Sequence, residues 1–288
     1  MRKGKKSTLV YILKNFIFML PLVILPAALL GFSNAFSVDN TPADFFINYA
    51  RQITSVSAFT MDNFTYDLFN YFTSVNLSAN WWIYLLGAIT LFFSLCMTIS
   101  AVERHMRLGM RSYSSIFSML NESLLSVLPY FLIMTFGYEF ISIVICGMIY
   151  LFYVMNIGGW LLFALSFAVT VIFYAVYMVF LMLSICTVPS MLSDGYRFNV
   201  AVSYSARLVS TKLKSIMLKF YGTFLVAWLI KVISRYLFTT MAWYPMAVHI
   251  IISILYYVFW CMFLPVFAMK IYNDLTEGVR NDIRVSLF

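Results

Sequence analysis

The sequence predicts an all-α fold: a six-helix transmembrane bundle with both termini cytoplasmic, and amphipathic interfacial helices in the cytoplasmic loops and the first outer loop. Three observations carry this reading. Of 288 residues, 63% are hydrophobic, 19% aromatic and only 10% charged, and the mean hydropathy is +0.90, a composition that lipid rather than water must solvate. Six apolar runs have the length of about 20 residues that a spanning helix needs. They absorb most of the chain, so residues 1–288 read as a single integral membrane domain without a separate soluble one. The third observation is the sorting of Lys and Arg. Of the 19, sixteen fall on segments assigned to the inside, Arg51 stands alone outside, and Lys231 and Arg235 lie within a span. Such a bias sets the expected orientation.

The elements follow in order. Arg2, Lys3, Lys5, Lys6 and Lys14 flank a first helix expected from about residue 8 to 36, with Pro21 and Pro26 removing backbone donors inside it. That run is too long for a cleavable signal and lacks a small-residue cleavage site, so it is expected to stay as an anchor. Residues 37–80 form the outer loop, where Asp39, Asp44, Asp62 and Asp67 face the single cation Arg51. Thr41-Pro42-Ala43-Asp44 has the cap, proline and acid of a helix start. Phe45, Tyr49, Ile53 and Val56, and then Phe64, Leu68, Tyr71 and Phe72, recur at helical spacing. They suit helices lying in the outer interface or a lid over an entrance.

Trp81 and Trp82 anchor a second span over 81–102, which ends in the basic segment Glu103-Arg-His-Met-Arg-Leu-Gly-Met-Arg111. Met106, Met110, Tyr113, Phe117, Leu120 and Leu124 share one helical face, so segment 103–123 is expected to lie on the inner leaflet. The third span covers 124–153 and contains Pro129, Gly137 and Glu139; the fourth covers 160–188 and ends in the turn residues of Pro189-Ser-Met-Leu-Ser-Asp-Gly195. A second cytoplasmic segment, 189–219, carries Val209, Leu213, Ile216 and Phe220 on one face. The fifth span runs over 220–240, the sixth over 246–268, and a tail of mixed charge follows from 270 to 288.

Ser112-Tyr-Ser-Ser-Ile-Phe117 and Ser203-Tyr-Ser-Ala-Arg-Leu208 stand 91 residues apart, and the same offset sets Glu103 on Asp194 and Glu139 on Ile230. A duplicated unit of span, basic interfacial helix and span would produce this, in parallel orientation. The residues Pro189, Asp194-Gly195, Ala201, Ser205 and Leu208, with the ending Ile271-Tyr-Asn-Asp-Leu-Thr-Glu-Gly278, resemble a group of bacterial membrane proteins. These are similar to the membrane domain attached to some glycerophosphodiester phosphodiesterases. The likeness runs over the C-terminal hundred residues. It implies a bacterial inner-membrane location and a helical bundle, and it assigns no reaction, because catalysis in the fused relatives belongs to a separate soluble barrel.

Chemical motifs are scarce. Cys96, Cys146, Cys186 and Cys261 fall on different apolar runs without C-x-x-C spacing and are expected as buried thiols. Two histidines, His105 and His249, cannot make a His-based metal cluster. No phosphate-binding loop and no G-x-S-x-G are present, so no cofactor is expected. The net charge of +8 suits the lipid bilayer and its anionic lipids rather than nucleic acid, because the cations sit at helix ends. Arg104, Arg107, Arg111, Arg207, Lys212, Lys214 and Lys219 are the candidate lipid-facing basic residues.

Within the spans, Glu139, Lys231, Arg235 and His249 form the candidate polar site. A charge at bilayer depth costs about 2.5–3.5 kcal/mol on insertion scales, and Lys231 lies about 15 Å deep at about 1.5 Å per residue. Polar stripes at helical spacing accompany it: Thr90, Ser94 and Thr98; Ser166, Thr170, Tyr174 and Tyr177; His249, Ser253 and Tyr256. One reading makes these packing contacts, with Arg235 reaching to the interface. The other pairs Glu139 with Lys231 or Arg235 around a cavity for an anionic or lipidic substrate. The functions that follow are a non-enzymatic accessory of membrane or transport processes in the bacterial inner membrane, or a transporter permease whose segments 103–123 and 189–219 dock a cytoplasmic ATPase or other subunit. An intramembrane enzyme would need paired acid and base groups at the interface, with Glu103 and Asp194 as its nearest candidates.

Overall fold

A computed structural model describes residues 7–36, 81–109, 116–155, 157, 159–241 and 245–286, with single or paired positions between 42 and 72; for 33–36, 81–84, 108, 116, 119, 239–240 and 277–286 the backbone alone is described. The described residues form eight helices and no strand: α1 (Thr8–Phe36), α2 (Trp81–Leu108), α3 (Ile116–Val154), α4 (Gly159–Leu183), α5 (Thr187–Asp194), α6 (Phe198–Ser210), α7 (Leu213–Thr240) and α8 (Met246–Ser286). Six stretches are long and apolar enough to cross a membrane: Thr8–Phe32, Leu85–Arg107, Leu120–Val154, Gly159–Asp194, Leu213–Phe238 and Met246–Thr276. The chain is a multi-pass membrane protein of helical architecture, with large apolar side chains such as Ile17, Phe136, Val176 and Ile233 standing on its surface. Lipid, which needs no hydrogen bonds, is the solvent those faces fit.

The chain divides into two compact units, each considered by itself. The first holds Met1–Ala35, Leu85–Phe131 and Met182–Phe288. In it α1 passes through Pro21 and Pro26. Pro26 has no N–H to donate to the carbonyl of Leu22 four residues earlier; the hydroxyl of Ser94, on α2 and 2% exposed, donates to that carbonyl instead at 2.6 Å. Ser123 on α3 likewise donates to the Cys96 carbonyl of α2 at 2.7 Å. Where α1 meets α8, a Cβ on Gly31 would lie 2.6 Å from Ile254 Cα, so the backbones touch as small residues in spans permit. The four cysteines are buried and free of disulfides.

Three boundaries differ from the sequence reading. Segment 103–123 does not form one interfacial helix: α2 continues to Leu108, Gly109 takes φ 73°, and Phe117, Leu120 and Leu124 already belong to α3. Met110, Tyr113 and Arg111 lie outside the described residues. Pro189 does not end a helix but sits in the first turn of α5, where a missing N–H breaks no helical bond; Gly195 stops α5 with φ 70° and an N–H bond to the Met191 carbonyl. The expected tail is the continuation of α8, which buries Ile271, Tyr272, Leu275 and Thr276. The 91-residue offset does not align these elements. It carries the end of α2 at Leu108 onto Asn199 in the first turn of α6, and the start of α3 at Ile116 onto Arg207 near the end of α6.

The second unit holds Phe36–Tyr84 and Leu132–Leu181. Here most of the described aromatic residues of segment 37–80, expected as an outer loop, turn into protein rather than lie on lipid. Phe45, Phe46, Tyr49, Leu68 and Phe72 are buried with Ile145, Cys146 and Ile149 of α3 and Leu162 of α4. Phe45 stacks on Tyr49 at 6.1 Å and Tyr49 on Phe163 at 6.1 Å. Aromatic rings carry the largest burial gain per residue, so packing on two helices outcompetes the interface for them. Ile53, Val56 and Phe64 lie outside the described residues.

Two outcomes follow for stability in detergent. Ser94→Ala strands the Leu22 carbonyl and should lower stability by about 1–3 kcal/mol, whereas Thr90→Ala, one turn away and bonded only within its own helix, should change it little; equal melting shifts would count against the proline-serine link. Phe72→Ala, at a fully buried position, should cost about 3–5 kcal/mol, with Phe69→Ala, 44% exposed, as the mild comparison in the same melting assay.

Candidate functional site

Helices α7 and α8 pack together and gather most of the polar set expected inside the membrane. Lys231 and Arg235 stand one turn apart on α7 with buried Ser234 between them. The Lys231 ammonium lies over the ring of Tyr256 at 5.0 Å and that of Tyr257 at 5.5 Å. Such a contact is worth about 0.5–2 kcal/mol, the larger value where water is excluded. Ser234 Oγ is 3.2 Å from Nδ1 of His249, itself buried, and the imidazole stacks on Phe238 with centroids 4.8 Å apart and planes within 5°. The stripe residues on other helices also turn inward. Ser94 and Thr98 on α2, Ser166 and Thr170 on α4, and Ser253 on α8 are all buried.

Glu139 belongs to the second unit. It is half-buried on α3, one residue after Tyr138, whose ring stacks on Tyr174 at 6.0 Å. Ser142 and Tyr174 share a hydrogen bond of 3.4 Å, and the Tyr177 hydroxyl donates to the Met134 carbonyl at 2.7 Å. Among the described residues no group of three His, Cys, Asp or Glu could hold a metal.

The end of α2 builds a second site in the first unit. Its consecutive side chains reach different helices. Arg104 donates to Glu122 on α3 at 2.6 Å and to Ser118 at 3.2 Å. His105 Nδ1 is 2.5 Å from the hydroxyl of Tyr11 on α1, and Asn273 on α8 donates weakly to the Met106 sulfur at 3.6 Å. Glu103 is only 7% exposed. Its Oε1 stands 2.9 Å from Arg107 Nε yet accepts no hydrogen bond, so this contact is an ion pair without hydrogen-bond alignment. Glu103, Arg104, Arg107 and Glu122, with Ser100, Ser126, Met191 and Leu192, line a cavity of about 410 Å³.

Arg104 and Arg107, expected on a lipid-facing surface, thus stand against acids in a cavity. Arg207 on α6, Lys212 at the cap of α7, and Lys214 and Lys219 on α7 do stand exposed. Sequence reasoning missed Glu122. Its signal was an acid within the first two turns of an apolar helix that follows a basic segment, a position where a charge needs a neighbour. Asp194, at the end of α5, accepts a hydrogen bond from the Tyr272 hydroxyl of α8.

Lys231→Met and Tyr256→Leu, made singly and together, test the cation–aromatic contact. A coupling of about 0.5–2 kcal/mol is expected from unfolding in detergent; strictly additive losses would mean that the ring does not hold the charge.

Compared with known proteins, the chain matches no family model, no curated protein and no solved structure.

Proposed function

We propose that this integral membrane protein acts as a non-catalytic accessory at the cytoplasmic leaflet of a bacterial inner membrane, engaging anionic lipid through α6 and the start of α7. One observation carries the reading. Ala201, Ser205, Val209, Ile216 and Phe220 of this stretch are buried, while Arg207, Lys212, Lys214 and Lys219 are exposed. The apolar face is therefore spent on protein, and the basic face is left for a partner. The docking is specific: Ser205 Oγ accepts from the Cys186 N–H at 3.0 Å and donates to the Leu183 carbonyl at 2.7 Å. It thereby satisfies the break between α4 and α5. A cation near an anionic leaflet gains about 1 kcal/mol, and the bias of Lys and Arg along the chain supports this surface facing the cytoplasm.

The test is the lipid retained on purification. Wild-type protein in nanodiscs of mixed phosphatidylglycerol and phosphatidylcholine should enrich the anionic lipid several-fold around itself, as read by mass spectrometry. The quadruple variant Arg207→Glu, Lys212→Glu, Lys214→Glu, Lys219→Glu should lose that enrichment. Unchanged lipid, together with stoichiometric recovery of an ATPase that the variant fails to hold, would replace the accessory reading with that of a permease subunit.

A further inference from the structure

We propose that the cavity between the ends of α2, α3 and α5 is a binding site for a zwitterionic group of the phosphoethanolamine type, with its anion on the arginines and its ammonium on the glutamates. The residues differ from the exposed cations of α6 and α7, so the two readings stand or fall separately.

The lining carries two formal positive charges and two negative ones, Arg104 and Arg107 against Glu103 and Glu122. A ligand with net charge would leave one of them in excess in a confined space, at a cost that grows as water is excluded. A zwitterion leaves none. The geometry also assigns the two ends. Glu103 is buried, and its Oε1 accepts no hydrogen bond although Arg107 is near; a buried carboxylate oxygen in this state calls for a donor that reaches it along the right line. An ammonium carries three N–H groups on a compact head and meets that need. Across the cavity the Arg104 guanidinium gives Nη2 to both Glu122 and Ser118, which fixes its plane. Arg107 has a side chain 59% exposed and is able to swing onto an anion, where the guanidinium fork matches phosphate or carboxylate.

Size and wall agree with this. A cavity of about 410 Å³ lies in the range of small-molecule sites. Met191 and Leu192 of α5 supply an apolar side for the ethylene link of the ligand and for whatever chain its phosphate carries. The shared chemistry is an ammonium and a phosphate two carbons apart, whether it arrives as a free solute or as the head group of a lipid.

Full-length protein in detergent, stripped of lipid, is titrated with phosphatidylethanolamine, phosphatidylglycerol and soluble phosphoethanolamine, and native mass spectrometry counts the bound species. Phosphatidylethanolamine should bind at one site about tenfold more tightly than phosphatidylglycerol, the loss expected for one missing charge-assisted hydrogen bond. Glu103→Gln should erase that preference. Leu192→Trp, which fills the cavity and leaves both ion pairs intact, should abolish the tight site while the protein melts at an unchanged temperature. Displacement of the lipid by phosphoethanolamine would show that the head group alone suffices; tight binding of the lipid without such displacement would make its chains part of the ligand, and both results support the site. Equal affinity for the two lipids, or a preference that survives Leu192→Trp, would overturn it.

Discussion

Hydrocarbon offers no hydrogen-bond partners, and this constraint decides which way each span faces. A polar group left on the lipid side has nowhere to turn, so Ser94, Ser123 and Thr170 are found inside, bonded to a neighbouring carbonyl or to their own helix. The link between Pro26 and Ser94 shows the constraint acting across two helices. Proline removes a donor from α1, and α2 presents a hydroxyl at the height where the orphaned carbonyl lies. Rotational register between the two helices follows from one bond. Apolar side chains fill the rest of the surface, and their exposure is a sign of correct burial of everything else.

Charge obeys the same logic with larger stakes. Within an apolar helix Lys231 stands over two tyrosine faces, which offer electron density to its charge. Toward the end of α2 the solution changes to ion pairs, each with one member in reach of water, Glu122 in one and Arg107 in the other. The pair between Arg104 and Glu122 is half open on its acidic side, 52% exposed, so its worth lies less in stability, about 0–1 kcal/mol for exposed pairs, than in orienting a guanidinium. His105, Met106 and Arg104 point to α1, α8 and α3 in turn. One helix end thereby serves as the hub of the first unit.

The class of fold was legible because it rests on run length and composition, which fold-specific packing does not alter. Six apolar runs became six spans. Boundaries were less legible where two signals compete: Pro189 reads as a stop in an apolar run, but it is equally at home in the first turn of a new helix, and only the docking of α6 through Ser205 shows that a new helix begins. The site was legible in half. Lys231 and His249 announced themselves as ionisable groups in apolar surroundings, and each makes its contact between α7 and α8. Glu103, Arg104 and Arg107 looked like an interfacial fringe, since nothing in their spacing reveals that α3 brings Glu122 to them. The aromatic pattern of segment 37–80 marked Phe45, Tyr49, Leu68 and Phe72 as one buried side, but protein rather than the interface buries them, because helical periodicity is silent on what covers a face.

The contact of Gly31 with Ile254 joins α1 to α8. A ribosome adds about 5–20 residues per second, so between about 10 and 45 s separate the synthesis of these two positions. The donor to the Leu22 carbonyl lies on α2 and is made well before α8, while the neighbour that covers Gly31 is not. Assembly of the first unit is thus ordered in time: the partner of α1 on α2 is made early, and its partner on α8 much later. A chain halted before α8 would present a glycine-bearing helix face of the kind that invites pairing with another helix, and the quality control of such a protein turns on how quickly α8 arrives.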